Sequence, residues 1–148
     1  MASNTSIYSV GLRNVGSFQA AGTPWMSGSG NIYPTTGSWV CKFPYVAKKI
    51  YIQNIKPKAD KYIWVSFKPG RDTIDPSTGL GGDATDVINN GHAIKLYGYE
   101  TIVLDVKCTE FYASGDGATV NWKVDVFAEL TNIPTSSMWE LAGSGIDE

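Results

Sequence analysis

Histidine occurs once in the 148 residues and cysteine twice. One histidine, His92, and two widely separated cysteines make no zinc ligand set. A Ser-His-Asp triad needs only one histidine. However, no G-x-S-x-G elbow accompanies His92, which follows a glycine at the start of a strand-like stretch. His92 is therefore expected to be structural or to sit at a rim. Cys41 and Cys108 both lie inside strand-like stretches, and two buried thiols are expected rather than a disulfide. Charge is also sparse, at 18% of residues with a net of −2. A nucleic-acid binder would carry a basic stripe, and the lysines of KKIYIQNIKPKADKY mostly flank turns, so no nucleic-acid partner is expected. No apolar run approaches the ~20 residues of a membrane span. The stretch MASNTSIYSVGL has neither a basic n-region nor an apolar h-region, so no secretory signal is expected. Helical periodicity is missing too: no window sustains apolar residues at i, i+3 and i+4.

The chain instead shows period-two alternation, punctuated by 16 glycines and 7 prolines. In ATVNWKVDVFAEL, residues 118–130, Val120, Trp122, Val124, Val126, Ala128 and Leu130 fall on one parity. Asn121, Lys123, Asp125 and Glu129 fall on the other, so one strand face is expected in the core and one in water. In ETIVLDVKCTEFYAS, Ile102, Leu104, Val106 and Cys108 share a face, the period breaks near Thr109, and a further short strand is expected over 110–113. Strands are also expected at 38–43, 48–55, 61–68 and 91–98, where aromatic or β-branched residues cluster. These imply an all-β fold, an antiparallel β-sandwich of jelly-roll type with seven to eight strands and extended N- and C-terminal arms. The expected organisation is an arm over 1–30, a sandwich over 31–133 and a tail over 134–148. Residues 69–91 form a long polar loop, with a short helical turn expected near 83–88.

Chemistry-bearing clusters are weak. Asp72, Asp75, Asp83 and Asp86 lie in the long loop, but their spacing is not that of an EF-hand, and D-P-S-T-G is a turn signature. The G-S-G at 28–30 follows no strand-to-helix pattern and reads as a flexible turn. No catalytic residue, metal or cofactor is expected. The aromatics say more: five Trp, eight Tyr and five Phe. Tyr62 and Trp64 alternate with Ile63 and Val65, so one face of that strand offers aromatic rings to a neighbouring subunit, to a sugar or to a second layer of its own fold. The ends are equally apolar. Phe18 and Trp25 punctuate the small-residue segment RNVGSFQAAGTPW, and Met138, Trp139 and Leu141 punctuate the tail. Each is either a docking segment or a strap over the chain's own sheet.

The stretches RNVGSFQAAGTPW, WVCKFPYVAKKIYIQNI, GHAIKLYGYETIVLDVKCTEFYAS and VFAELTNI together resemble small virion proteins of tailed phages and aquatic DNA viruses. The resemblance spans about residues 7–133, and its motifs are structural, with no catalytic residue among them. The loop 69–91 and the tail after 133 look like additions to that pattern. The resemblance implies a non-enzymatic β-sandwich of the virion that decorates or cements the capsid or serves as a minor capsid protein. It would bind the major capsid protein or other virion subunits as a homo-oligomer, a trimer being favoured. Phe18, Trp25, Tyr62, Trp64, Met138, Trp139 and Leu141 are the residues expected to meet a partner. The alternative is a carbohydrate- or receptor-binding β-sandwich of a phage knob or fibre.

Overall fold

The structure is a computed structural model that describes residues 11–13, 15–19, 21–32, 39–55, 62–68, 91–115, 122–143 and 145–146. The expected helical turn near 83–88 and the aspartates of the long loop lie outside the described residues, as does the side chain of Trp122. The one α-helix described, α1, is the four-residue turn Gly16–Gln19. Seven strands follow: β1 Thr23–Ile32, β2 Trp39–Asn54, β3 Tyr62–Ser66, β4 Ile94–Tyr97, β5 Thr101–Leu104, β6 Cys108–Gly115 and β7 Trp122–Pro134. All described pairings are antiparallel, in the order β1-β7-β2-β6-β3-β4, with β5 also paired to β2. The fold is thus all-β and sandwich-like. The sheet curls so that the inward faces of β2, β3, β4, β6 and β7 share one core.

Parity sets which face goes inside. Along β7, Val124, Val126, Ala128 and Leu130 are buried while Lys123 and Asp125 are exposed, as the alternation predicts. On β3, Ile63 and Val65 are buried between half-buried Tyr62 and Trp64. On β5, Ile102 and Leu104 face the core and Thr101 and Val103 face out. Each fully buried aliphatic side chain stabilises the fold by roughly 1.5–3 kcal/mol relative to exposure. Phe111, Ile50, Ile52 and Ile63 are among the core's largest fully buried side chains, and the Phe111 ring lies 6.1 Å from that of Phe43.

Three expectations change. First, the strands expected at 38–43 and 48–55 are one 16-residue strand, β2. Its buried positions switch from odd (Cys41, Phe43) to even (Ile50, Ile52, Asn54), with Val46 and Ala47 both buried at the switch. Register shifts between Tyr45 and Ala47 and between Ala47 and Lys49 produce this change of phase. Pro44 reads as a breaker in sequence, yet it sits beside this irregularity, where a missing N–H costs the ladder least. Second, the arm expected over 1–30 is shorter, because from Thr23 onward the chain is β1, hydrogen-bonded to β7 from Thr23↔Leu130 to Ile32↔Trp122. Third, G-S-G at 28–30 is strand rather than a free turn. A Cβ on Gly28 would stand 2.9 Å from the Val124 carbonyl oxygen, so the glycine permits close approach of β7.

The switch in β2 is secured from β7. The buried Thr131 hydroxyl donates to the Val46 carbonyl at 2.8 Å and accepts from the Ile133 N–H at 3.1 Å. It thereby supplies a partner to a carbonyl at the point where the ladder is out of step. Thr131→Val keeps the side-chain shape but deprives both groups of this partner inside the protein. It is expected to lower the unfolding free energy by about 1–3 kcal/mol in urea titration, with an unchanged m-value.

Candidate partner-binding surface

The outward face of β3 and β4 carries an aromatic cluster. Register pairs Tyr62 with Tyr97 and Trp64 with Lys95. Tyr62 meets Trp64 edge to face at 5.5 Å between centroids and an 85° interplanar angle. It meets Tyr97 at 5.6 Å and 68°. The Lys95 ammonium stands over these rings, 4.2 Å from the Tyr62 centroid, 4.9 Å from Trp64 and 5.9 Å from Tyr97. Such a contact is worth roughly 0.5–1 kcal/mol at an exposed site. Inward Ile63, Val65 and Leu96 anchor the two strands in the core, so the rings outside rest on a rigid base.

The turn after β4 presents a further exposed aromatic side chain. Tyr99 is 62% exposed and holds a left-handed backbone, with φ of 65°. Its N–H donates to the Asn54 carbonyl at 2.6 Å, and Asn54 N–H donates to the Glu100 carbonyl at 3.1 Å. Asn54 is fully buried, and its side-chain amide donates to the Leu96 carbonyl at 3.0 Å. These bonds tie the β4–β5 turn to the end of β2 and hold Tyr99 in a conformation that costs a non-glycine residue of order 1–3 kcal/mol. Lys95, Tyr97 and Tyr99 were not singled out from sequence. Part of the signal was present, because in AIKLYG Lys95 and Tyr97 share one parity opposite Leu96, whereas Tyr99 lies in the turn beyond the strand.

The described segments near the two ends fold back on the chain's own sheet. Lys48 Nζ donates to the Phe18 carbonyl at 3.0 Å, and Lys107 Nζ donates to the Leu12 carbonyl at 3.0 Å. The Lys107 ammonium also lies 4.4 Å from the centre of the Phe18 ring. Phe18 is thus clasped by its own sheet. Trp25 belongs to β1 and turns inward, edge to face on Phe43 at 5.1 Å and 82°. At the other end the chain makes a 3-10 turn, Thr135–Ser137, and crosses near the end of β3. Lys68 and Glu140 pair at 2.6 Å, Leu141 packs against the core, and Met138 is half-buried. Of the seven residues expected to meet a partner, Trp25 and Leu141 therefore serve the chain's own core, and Phe18 is held in cis. Tyr62 and Trp64 lie on the outward cluster, while Trp139 is 55% exposed on the folded-back tail.

Among the described residues, no group of three His, Cys, Asp or Glu could hold a metal ion. Cys41 and Cys108 are free and buried. Burial pushes both thiols up to about 12, and for Cys108 the nearby Cys41 adds to the effect. The Tyr112 hydroxyl is likewise pushed up to about 12, chiefly by burial and then by donating to Glu110 Oε1 at 2.9 Å. His92 Nδ1 is buried with no hydrogen-bond partner among the described residues. Among those residues, no helix is long and apolar enough to cross a membrane. Comparison of the sequence with protein-family models and with curated proteins finds no match to either.

Proposed function

We propose that this chain is a non-enzymatic virion structural protein, a β-sandwich that decorates or cements a capsid or forms a minor part of it. The outward cluster of Tyr62, Trp64 and Tyr97 is part of the surface that meets the major capsid protein or other virion subunits. The observation that carries this reading is the composition of that cluster: three interlocked rings around a lysine on a rigid strand pair, next to an exposed tyrosine held in a strained turn. Tyrosine and tryptophan are enriched where proteins meet, because one rigid ring supplies both apolar area and a polar edge. The resemblance over residues 7–133 supplies the virion context.

A carbohydrate- or receptor-binding β-sandwich of a phage knob or fibre would use the same rings. A sugar stacks on an open, flat ring face. Here Tyr62 stands near-perpendicular to Trp64, and the Lys95 ammonium covers both faces at under 5 Å. That geometry favours a protein partner.

Electron microscopy of the particle that carries the protein would place it on shell, tail or fibre. Tyr62→Ala with Trp64→Ala is expected to weaken co-sedimentation with the parent capsids at least about tenfold while the fold persists. Unchanged co-sedimentation by the folded double variant would sink the docking role. Glycan binding that rises in Lys95→Ala would favour the sugar reading instead.

A further inference from the structure

Lysines are held in two ways on this molecule. Lys48 and Lys107 each donate to a backbone carbonyl at 3.0 Å. Lys49 bridges to Asp105 at 3.2 Å and Lys68 to Glu140 at 2.6 Å. Each of these ammonium groups has an oxygen to donate to. Lys95 makes no hydrogen bond or ion pair among the described residues. Three rings hold it instead, with centres 4.2, 4.9 and 5.9 Å away. The nearest acid along the chain, Glu100, is turned elsewhere: its Oε2 accepts the Tyr97 N–H at 2.8 Å. A ring face attracts a cation but offers no oxygen lone pair. The exposed Lys95 ammonium therefore keeps N–H donors that no group of its own surface meets.

This arrangement constrains what can dock. The ammonium stands over the rings that a partner must meet, so covering Tyr62 and Trp64 covers Lys95 as well. An ammonium taken out of water without a counter-charge is strongly disfavoured. Paired with a carboxylate among apolar groups, it makes a charge-assisted bond that is shorter and stronger than a neutral one. A second copy of the same cluster would not serve. It brings another lysine, and its nearby carboxylate already accepts a backbone N–H. Like charges would then meet across the contact.

We propose that the surface of Tyr62, Trp64 and Tyr97 docks on a protein of different sequence that presents an Asp or Glu side chain to Lys95, with apolar groups around that carboxylate lying against the rings. The proposal rests on the docking role given to these rings above. Lys95 then sets specificity, because a neutral or basic patch of the same shape would leave its ammonium buried and unpaired.

The test is co-sedimentation of the purified full chain with parent capsids stripped of the protein, alongside Tyr62→Ala/Trp64→Ala and three Lys95 variants. Lys95→Met keeps an apolar stem and removes the charge. It is expected to weaken binding at least about tenfold and to flatten its dependence on salt. Lys95→Arg keeps a cation that also stacks on rings and is expected to bind within about threefold of the wild type. Lys95→Glu is expected to bind more weakly than Lys95→Met. A carbodiimide, which joins an amine to an adjacent carboxylate as an amide, is expected to crosslink Lys95 of the docked wild type to an Asp or Glu of another virion subunit. The crosslink needs no substitution, so it stands even where a variant fails to fold. Weakened binding by the ring variant, with undiminished and equally salt-dependent binding by Lys95→Met, would overturn this proposal and leave the docking role of the rings. Undiminished binding by the folded ring variant, or no binding by the wild type, would overturn both. A Lys95 crosslink only to a second copy of this chain, or none from Lys95 while other lysines of the docked chain react, would also overturn the acidic partner.

Discussion

Phe111→Ala should lower the unfolding free energy by about 3–5 kcal/mol. Phe111 is fully buried on β6, opposite Cys41 of β2. Its ring meets Trp39 edge to face at 6.0 Å and lies 6.1 Å from Phe43, whose other neighbour is Trp25. The chain of rings Trp25, Phe43, Phe111 and Trp39 therefore links β1, β2 and β6 across the interior. Truncation removes the central ring and leaves a cavity whose walls are held by backbone ladders on β2 and β6, so collapse is restricted. For a domain with 5–15 kcal/mol of total stability, this is a large share. Chemical denaturation should show a much lower midpoint with an unchanged m-value. A loss below about 1 kcal/mol would mean that the interior is not packed around this ring.

Cys41 and Cys108 should be nearly inert to alkylation in the native protein. Burial moves each thiol from an ordinary 9.0 to about 12. At pH 8 a free thiol is roughly one-tenth thiolate, whereas these would be about one ten-thousandth, so labelling should be roughly a thousandfold slower on ionisation alone. Labelling by iodoacetamide followed by mass spectrometry, native against denatured, reads this directly. Rapid native labelling of either cysteine would refute its burial. The same shift sets a pH dependence of stability. The native pKa lies above the unfolded one, so the stabilisation is intact below pH 9 and is lost as pH rises from about 9 toward 12. Tyr112, raised from 10.0 to about 12, acts in the same direction over the upper part of that window. Alkaline unfolding should therefore take up base, and Cys41→Ala/Cys108→Ala should flatten the decline.

Much of the architecture was legible because a strand exposes and buries alternate residues. Val124, Val126, Ala128 and Leu130 are named as core by parity alone, as are Ile50, Ile52, Ile63 and Val65. The buried thiols follow from their strand context in the same way. The phase change in β2 was not legible. It depends on two register shifts against β7 and on a hydroxyl at Thr131, 85 residues away from Val46. Nor could β1 be read, since TPWMSGSGNI has few strand-forming side chains and becomes a strand because β7 offers it an edge.

The candidate surfaces divide along the same line. The composition of RNVGSFQAAGTPW marks a segment whose few large side chains need something to cover them. Only the fold supplies the cover, and it comes from the same chain: Phe18 under Lys107 and Trp25 on Phe43. Tyr62 and Trp64 could be placed on a common face from sequence, whereas their joining to Tyr97 and Lys95 required the β3–β4 register. Alternation is a local property of the backbone, so the sequence by itself determined which side of each strand is wet. Pairing is a long-range choice among edges, so only the tertiary structure decided which wet side chains stand together.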